Sequence, residues 1–198
     1  MIHEGTNREQ GGDPPPAGRT GVTVASVGRT VGSPLHCREP VAADAVAICA
    51  LVGRCGVLDP NSTYCYLLLA THFAATCAVA VRAGRIVGFV SGYLVPSEPS
   101  TLFIWQVAVD PATRGQGVAR RLLAAILDRR ACRAVRYLEA TVTPSNTASQ
   151  ALFSALARDR GASLERRPRF TSADLGGTHE PEHLVRIGPF GPGPEPRE

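Results

Sequence analysis

The chain has 198 residues, 44% of them hydrophobic, and a formal net charge of +4. That length suits one domain with tails and allows a sizeable core. No apolar run approaches the ~18 residues of a membrane span, and the start, Met1-Ile-His-Glu-Gly-Thr, has no apolar h-region, so a cytoplasmic protein without a membrane partner is expected. All 21 basic residues are arginine. Without lysine there is no phosphate-binding P-loop lysine and no Schiff base to pyridoxal phosphate. No arginine cluster is interleaved with aromatics, which argues against nucleic acid as a partner. The six cysteines (37, 49, 55, 65, 77 and 132) form no C-x-x-C pair, so no metal is expected, and they read as small buried apolar groups.

Residues 1–32 read as a disordered tail, although Val22 to Val31 could begin a strand; 33–190 read as the folded domain and 191–198 as a short flexible tail. Pro40 is placed to open a first helix with the stripe Val41, Ala45, Ile48, Cys49 and Val52, stopped by Gly53 or Gly56. Leu58-Asp-Pro-Asn-Ser62 is a loop whose Asn61 and Ser62 can cap a second helix running through Leu67 to Phe73. Cys77–Arg82 and Arg85–Tyr93 flank Ala83-Gly84 as a hairpin. A Pro-bearing loop from Val95 to Ser100 leads to a central strand, Thr101–Val109. After a third helix, Ala134–Val142 is a strand and Ala148–Arg160 a helix with Ala148, Leu152, Ala155 and Leu156 on one face. Leu164–Phe170 and Leu184–Ile187 close the domain as strands around the loop Gly176–Glu182. Alternating elements of this kind give an α/β sheet of mixed polarity.

The most informative stretch joins the central strand to the third helix. Asp110-Pro111 ends the ladder, Arg114-Gly-Gln-Gly-Val-Ala119 turns the chain, and Val118, Leu122, Ala125 and Ile126 follow at helical spacing. A glycine turn that opens a helix presents unpaired N–H groups and the positive end of the helix dipole, a site for a phosphate. Position 120 is Arg rather than Gly, so the dinucleotide fingerprint G-x-G-x-x-G fails. On the hexapeptide alone, a plain glycine-containing turn is the competing reading.

Arg114-Gly-Gln-Gly-Val-Ala119 resembles the Gln/Arg-x-x-Gly-x-Gly/Ala signature of the GNAT superfamily of acyl-CoA N-acyltransferases, with Gln106–Val109 before it and Leu138–Val142, Asn146 and Leu152-Phe153 after it. The resemblance implies an α/β fold with a mixed central sheet, splayed strands and flanking helices, and acetyl-CoA in the gap. It implies that Val107 and Val109 pair with the pantetheine, that Arg114, Gly115, Gln116, Gly117 and Ala119 hold the pyrophosphate, and that Asn146 and Ser149 complete the cofactor groove. Many members carry a Tyr general acid where this chain has Phe153. A thiolate with a pKa near 8.5 is a fair leaving group without that acid.

From about Arg38 to Phe190, the stretches Leu58–Leu69, Phe103–Val109, Tyr137–Asn146 and His179-Glu-Pro-Glu182 are similar to the diaminobutyrate acetyltransferases, a family within that superfamily. This implies a small diamino acid as substrate and a homodimer. It implies that Asp59, Asn61, Tyr64, Trp105, Thr141, His179 and Glu182 line the amine pocket. Asp59 and Glu182 suit ammonium groups, and Trp105 a cation–π contact of roughly 0.5–2 kcal/mol. Other readings stand beside these: Asp59 to Ser62 as turn and cap residues, Trp105 as core on one strand face with Phe103 and Val107, and His179 and Glu182 in a solvated loop. The amine must lose a proton before attack. Glu139, on the strand face opposite Leu138 and Ala140, is the first choice of base, with His179 or Glu182 if Glu139 is a surface carboxylate. The oxyanion calls for an amide from the Val107–Val109 strand. The alternatives are a GNAT enzyme for another small amine or a protein N-terminus, and a non-catalytic acyl-CoA-binding module, which Phe153 favours.

Overall fold

The computed structural model describes residues 33–56 and 61–191. The tail 1–32 with its possible strand Val22–Val31, the loop residues Leu58–Pro60 and the chain from Pro192 onward lie outside the described residues. A short strand, β1 (His36–Arg38), opens the fold. It was not expected, because three residues carry no readable period.

The first helix, α1 (Ala45–Cys55), starts at Ala45 and not at Pro40. A 3-10 turn at Ala42–Asp44 intervenes. The Asp44 carboxylate accepts from the Val41 N–H at 2.8 Å and from both Arg38 Nη atoms at 2.6 and 2.9 Å, which fixes the chain as a capped turn before the helix. Val41 is therefore exposed, and the buried stripe begins at Ala45. Helix α2 (Thr63–His72) starts as expected at Ser62, whose hydroxyl accepts from the Cys65 N–H at 3.4 Å.

Six further strands complete the sheet: β2 (Ala78–Arg82), β3 (Arg85–Val95), β4 (Glu98–Val109), β5 (Tyr137–Val142), β6 (Leu164–Phe170) and β7 (Glu182–Ile187). Helices α3 (Val118–Leu127) and α4 (Thr147–Asp159) lie between them in sequence. The expected loop from Val95 to Ser100 is a tight turn, since Val95 already pairs with Glu98. Pro99 sits within the first residues of β4, a place where a missing N–H is tolerated. In α4 the buried residues are Phe153, Leu156 and Ala157, while Ala148 is exposed, because the bulkier side chains take the core.

The strand order is β1-β2-β3-β4-β5-β7-β6. Among the described residues only β4 and β5 are parallel, and they pair over four positions, Thr101↔Tyr137 to Ile104↔Ala140. Both strands then run on, β4 to Val109 and β5 to Val142, without pairing to each other. The sheet is split at this point.

A bulge lies where the split begins. Gly92 pairs with Ile104 and Ser91 with Gln106, so Trp105 is an extra residue on β4. One inserted residue exchanges the two faces of a strand. Leu102 and Ile104 accordingly pack with Leu122, Ile126, Leu138 and Phe153 under α3 and α4. Ala108, of the same parity, joins Ile48, Leu51, Tyr66 and Phe89 under α1 and α2. The expectation that Phe103, Trp105 and Val107 share a face is thus corrected: Val107 packs against the α3 side, Phe103 stacks on Tyr93 at 5.3 Å between ring centroids, and Trp105 is 47% exposed.

Gly92 makes the bulge possible. A Cβ there would stand 2.8 Å from the Phe103 carbonyl oxygen and 3.3 Å from that of Thr76. Gly92→Ala is expected to cost about 1–3 kcal/mol through overpacking against backbone. Thermal and urea unfolding check it; an unchanged midpoint would mean the strands have room to separate.

Candidate active site

Beyond the bulge, the direction of each β4 amide follows from two hydrogen bonds. The Gln106 N–H donates to Ser91 Oγ at 3.2 Å, and the Asp110 N–H donates to the Val87 carbonyl at 2.9 Å, both toward β3. Successive N–H groups of an extended strand point to opposite sides. The Val107 and Val109 amides therefore face the gap where β5 has turned away. Buried ladder groups require partners, so this edge suits an extended ligand carrying its own amides, as a pantetheine arm does.

The strand runs directly into the glycine turn. Asp110 accepts from the Ala112 N–H through its side chain at 3.0 Å and from the Thr113 N–H through its carbonyl at 2.8 Å. Gly115 and Gly117 then take φ values of 76° and 73°, which L side chains adopt only at a cost. Two side chains of the turn are engaged with protein. Arg114 Nη2 donates to the Cys55 carbonyl at 3.3 Å, and Gln116 accepts from Arg82 at 2.6 Å while donating to the Ala112 carbonyl at 3.3 Å. What the turn has for an anion is main-chain N–H, including the first turn of α3 around Ala119, which has no intrahelical acceptors.

Across the gap, Asn146 caps α4 by accepting from the Ser149 N–H at 3.0 Å. That bond uses the Ser149 amide, so the hydroxyl is the group Ser149 has for a cofactor. Phe153 is 2% exposed inside the core under α3 and α4, where it has no proton to give.

Of the residues expected around the amine, Asp59 lies outside the described residues, and the others are spread over β4, β5, β7, the start of α2 and the β6–β7 loop. Trp105 is the bulge itself. Thr141 follows Ala140, the last β5 residue paired to β4. Glu182 opens β7, which lies along β5 with Leu184 opposite Thr141. Asn61 and Tyr64 flank the start of α2, and Tyr64 is 66% exposed. His179 is exposed in the β6–β7 loop.

Glu139 does lie on the strand face opposite buried Leu138 and Ala140, but it is not a free carboxylate. It is ion-paired with Arg186, its cross-strand neighbour on β7. Arg186 also binds Glu98 at 2.8 Å and lies 3.9 Å from the centroid of the Tyr137 ring. The guanidinium holds the Glu98 carboxyl below the usual carboxylate range. The pair engages only Oε1 of Glu139, so Glu182 and His179 stand beside Glu139 as candidate bases.

Several residues of the site were not anticipated from sequence. Glu180 accepts from the Ser145 N–H at 3.2 Å and ties the loop of His179 and Glu182 to the turn that carries Asn146. Gln106 and Ser91 form the bond that supports the bulge. Of these only Gln106 left a trace, as a lone amide side chain in an apolar strand. Among the described residues no group of three or more His, Cys, Asp or Glu could hold a metal ion, and no helix is long and apolar enough to cross a membrane.

If the turn holds the pyrophosphate by its amides, Gly117→Ala, strained by about 1–2 kcal/mol at its φ, should weaken CoA binding roughly five- to thirtyfold. Titration calorimetry checks this, and an unchanged Kd would remove the turn from the site.

Comparison with known proteins agrees with this geometry. The acetyltransferase (GNAT) family model matches residues 50–157. The L-2,4-diaminobutyric acid acetyltransferase of Chromohalobacter salexigens is 53% identical over 159 residues, covering 80% of this chain and 83% of that protein. The enzyme of the same name from Streptomyces coelicolor is 48% identical, covering 80% and 95%. Diaminobutyrate acetyltransferase from Paenibacillus lautus, solved in complex with its substrate L-2,4-diaminobutyric acid and coenzyme A, superposes with a TM-score of 0.78 at 41% identity, covering 81% of this chain and 98% of that one. At 19% identity and a TM-score of 0.61, Ard1 from Thermoplasma volcanium shares the fold. The chain belongs to the GNAT acetyltransferases and, among them, to the L-2,4-diaminobutyric acid acetyltransferase family.

Proposed function

We propose that this chain transfers the acetyl group of acetyl-CoA to the 4-amino group of L-2,4-diaminobutyrate, giving the N4-acetyl product used in ectoine biosynthesis. It does so in the cytoplasm as a homodimer. What supports this reading is the split between β4 and β5, with the glycine turn Arg114–Ala119 following β4 and Trp105 and Thr141 on the two strands, in a chain 41% identical to a protein solved with that diamino acid and coenzyme A.

Acetyl-CoA supplies the acyl group, already activated as a thioester. The turn from Arg114 to Ala119 holds its pyrophosphate, and the Val107 and Val109 amides fix the pantetheine arm and the acyl carbonyl. Negative charge developing on that carbonyl oxygen is met by a main-chain N–H of the same strand. Glu182, with Asp59, receives the ammonium groups. Trp105 gives the amine an aromatic face, and Asn61, Tyr64 and Thr141 set its orientation. Glu182 or His179 takes the proton that the 4-ammonium must lose before it attacks. Aligning amine and thioester removes an entropy cost of up to about 7–11 kcal/mol, so positioning supplies most of the rate.

Release of free thiol from acetyl-CoA, measured with diaminobutyrate, ornithine, lysine, spermidine and peptides, tests the assignment. Strong preference for diaminobutyrate is expected. Equal rates with ornithine would make the enzyme a general small-amine acetyltransferase, and no release with any amine would leave an acyl-CoA-binding module, the reading that Phe153 favours.

The base is tested separately. Glu182→Gln should lower kcat/KM by about 10²–10⁴-fold, as expected for loss of a positioned base. Glu139→Gln should keep the wild-type pH–rate profile while lowering the melting temperature through the lost Arg186 pair. A shifted profile in Glu139→Gln would return the base role to Glu139.

A further inference from the structure

We infer that Ser91, Gln106 and Tyr66 form a buried lock that fixes the register of β4 where it leaves β5, and that all three are positioning residues for acyl transfer. The inference rests on the acetyl-transfer reading above and extends it to residues that touch neither reactant.

Which β4 amides face the gap depends on where the bulge sits. If the bulge moved by one residue, the amide directions along the displaced stretch would invert, since a slip of one exchanges the two sides of a strand. Ordinary ladder bonds do not resist this well, because every residue of β3 has a carbonyl to offer. The bond that marks the register is a side-chain one. The Gln106 N–H donates to Ser91 Oγ at 3.2 Å, and Ser91 is wholly buried. Its neighbours on β3 are Val90 and Gly92, neither of which has a side-chain acceptor. A shifted β4 would lose this partner and leave a buried N–H unsatisfied, which is unfavourable.

Gln106 extends the lock to the amine side. It is 5% exposed, a polar side chain where an apolar one would be easier to bury. Its Oε1 accepts from the hydroxyl of Tyr66 at 3.4 Å, and Tyr66 is wholly buried on α2. Asn61 lies beside the same hydroxyl. Tyr66 follows Tyr64 by two residues, so the helix start that bears Asn61 and Tyr64 is tied to the strand that aims the thioester. The lock thus couples the two halves of the site.

Ser91→Ala, Ser91→Cys and Tyr66→Phe, each in the full chain, test this. Steady-state acetyl transfer to diaminobutyrate is measured beside CoA titration calorimetry and amide hydrogen exchange. For Ser91→Ala, kcat should fall about 10–100-fold, the scale of a misplacement near 1 Å, and the Kd for CoA should weaken as well, because the displaced Val107 and Val109 amides also hold the pantetheine arm. Exchange should quicken at Gln106 and over 104–109 but not across the sheet. Ser91→Cys, close in size with a weaker acceptor, should fall between Ser91→Ala and wild type, and it serves if Ser91→Ala does not fold. Tyr66→Phe should raise KM for the amine several-fold and leave CoA affinity unchanged.

A wild-type kcat in Ser91→Ala, or unchanged exchange at Gln106, would overturn the lock. Should wild type itself release no thiol with diaminobutyrate, the substrate reading fails. The exchange data then decide the lock alone: unchanged protection at Gln106 in Ser91→Ala refutes it, and faster exchange confined to 104–109 supports it.

Discussion

A parallel pair of strands that stays together for only four positions is the constraint from which the site follows. Beyond Ile104 and Ala140 the two strands have length left and no partnership. The separation leaves the Val107 and Val109 amides, which point away from β3, without a partner strand in β5, an edge suited to an extended ligand. Arg120, in the first turn of α3, makes two hydrogen bonds of 3.0 and 2.6 Å to Asp159 at the end of α4. The bond is exposed and weak by itself, but it joins the helices that line the two sides of the gap.

The bulge at Trp105 explains how one strand serves two reactants. Before it, the even-numbered residues of β4 lie under α3 and α4; after it, they lie under α1 and α2. The strand thus presents Val107 and Val109 to the cofactor side while Trp105 protrudes at the point of exchange. Without the extra residue, Val107 would turn toward α1 and α2, and the amides aimed at the gap would come from other positions. The polar face of β5 and β7 is organised around Arg186, which pairs with both Glu98 and Glu139 and covers Tyr137. Glu139 has a structural task there as the cross-strand partner of Arg186.

What could be read from the sequence was what neighbours along the chain determine. The glycine turn, the cap at Ser62, the hairpin at Ala83-Gly84 and the strand Leu164–Phe170 depend on residues a few places apart, and they appear where their patterns put them. The misreadings have a common origin. Parity placed Phe103, Trp105 and Val107 on one face because counting residues cannot detect an inserted one. The partner of Glu139, a guanidinium 47 residues away in sequence, was equally out of reach of local pattern. Pro40 looked like a helix start because helical spacing does not show the turn that Asp44 makes with Arg38, six residues back, and with the Val41 N–H. β1 is too short to show a period at all.

The substitution at Phe153 bears on how the rate is achieved. A tyrosine there could protonate the departing thiolate, and a positioned acid of that kind is worth about 10²–10⁴-fold. Phe153 instead completes the core between α3, α4 and the sheet. A thiolate with a pKa near 8.5 can depart without a proton, so the loss falls short of the full factor. Under the proposed acetyl transfer, the remainder falls to the positioned base together with groups that do not titrate: the amides of β4, the glycine turn and the amine pocket. In such an enzyme the accuracy of the backbone takes over work that an acid does elsewhere. Under the inferred lock, that is the task of a buried serine on β3 and a buried glutamine on β4, which face each other at the bulge where the two strands change register.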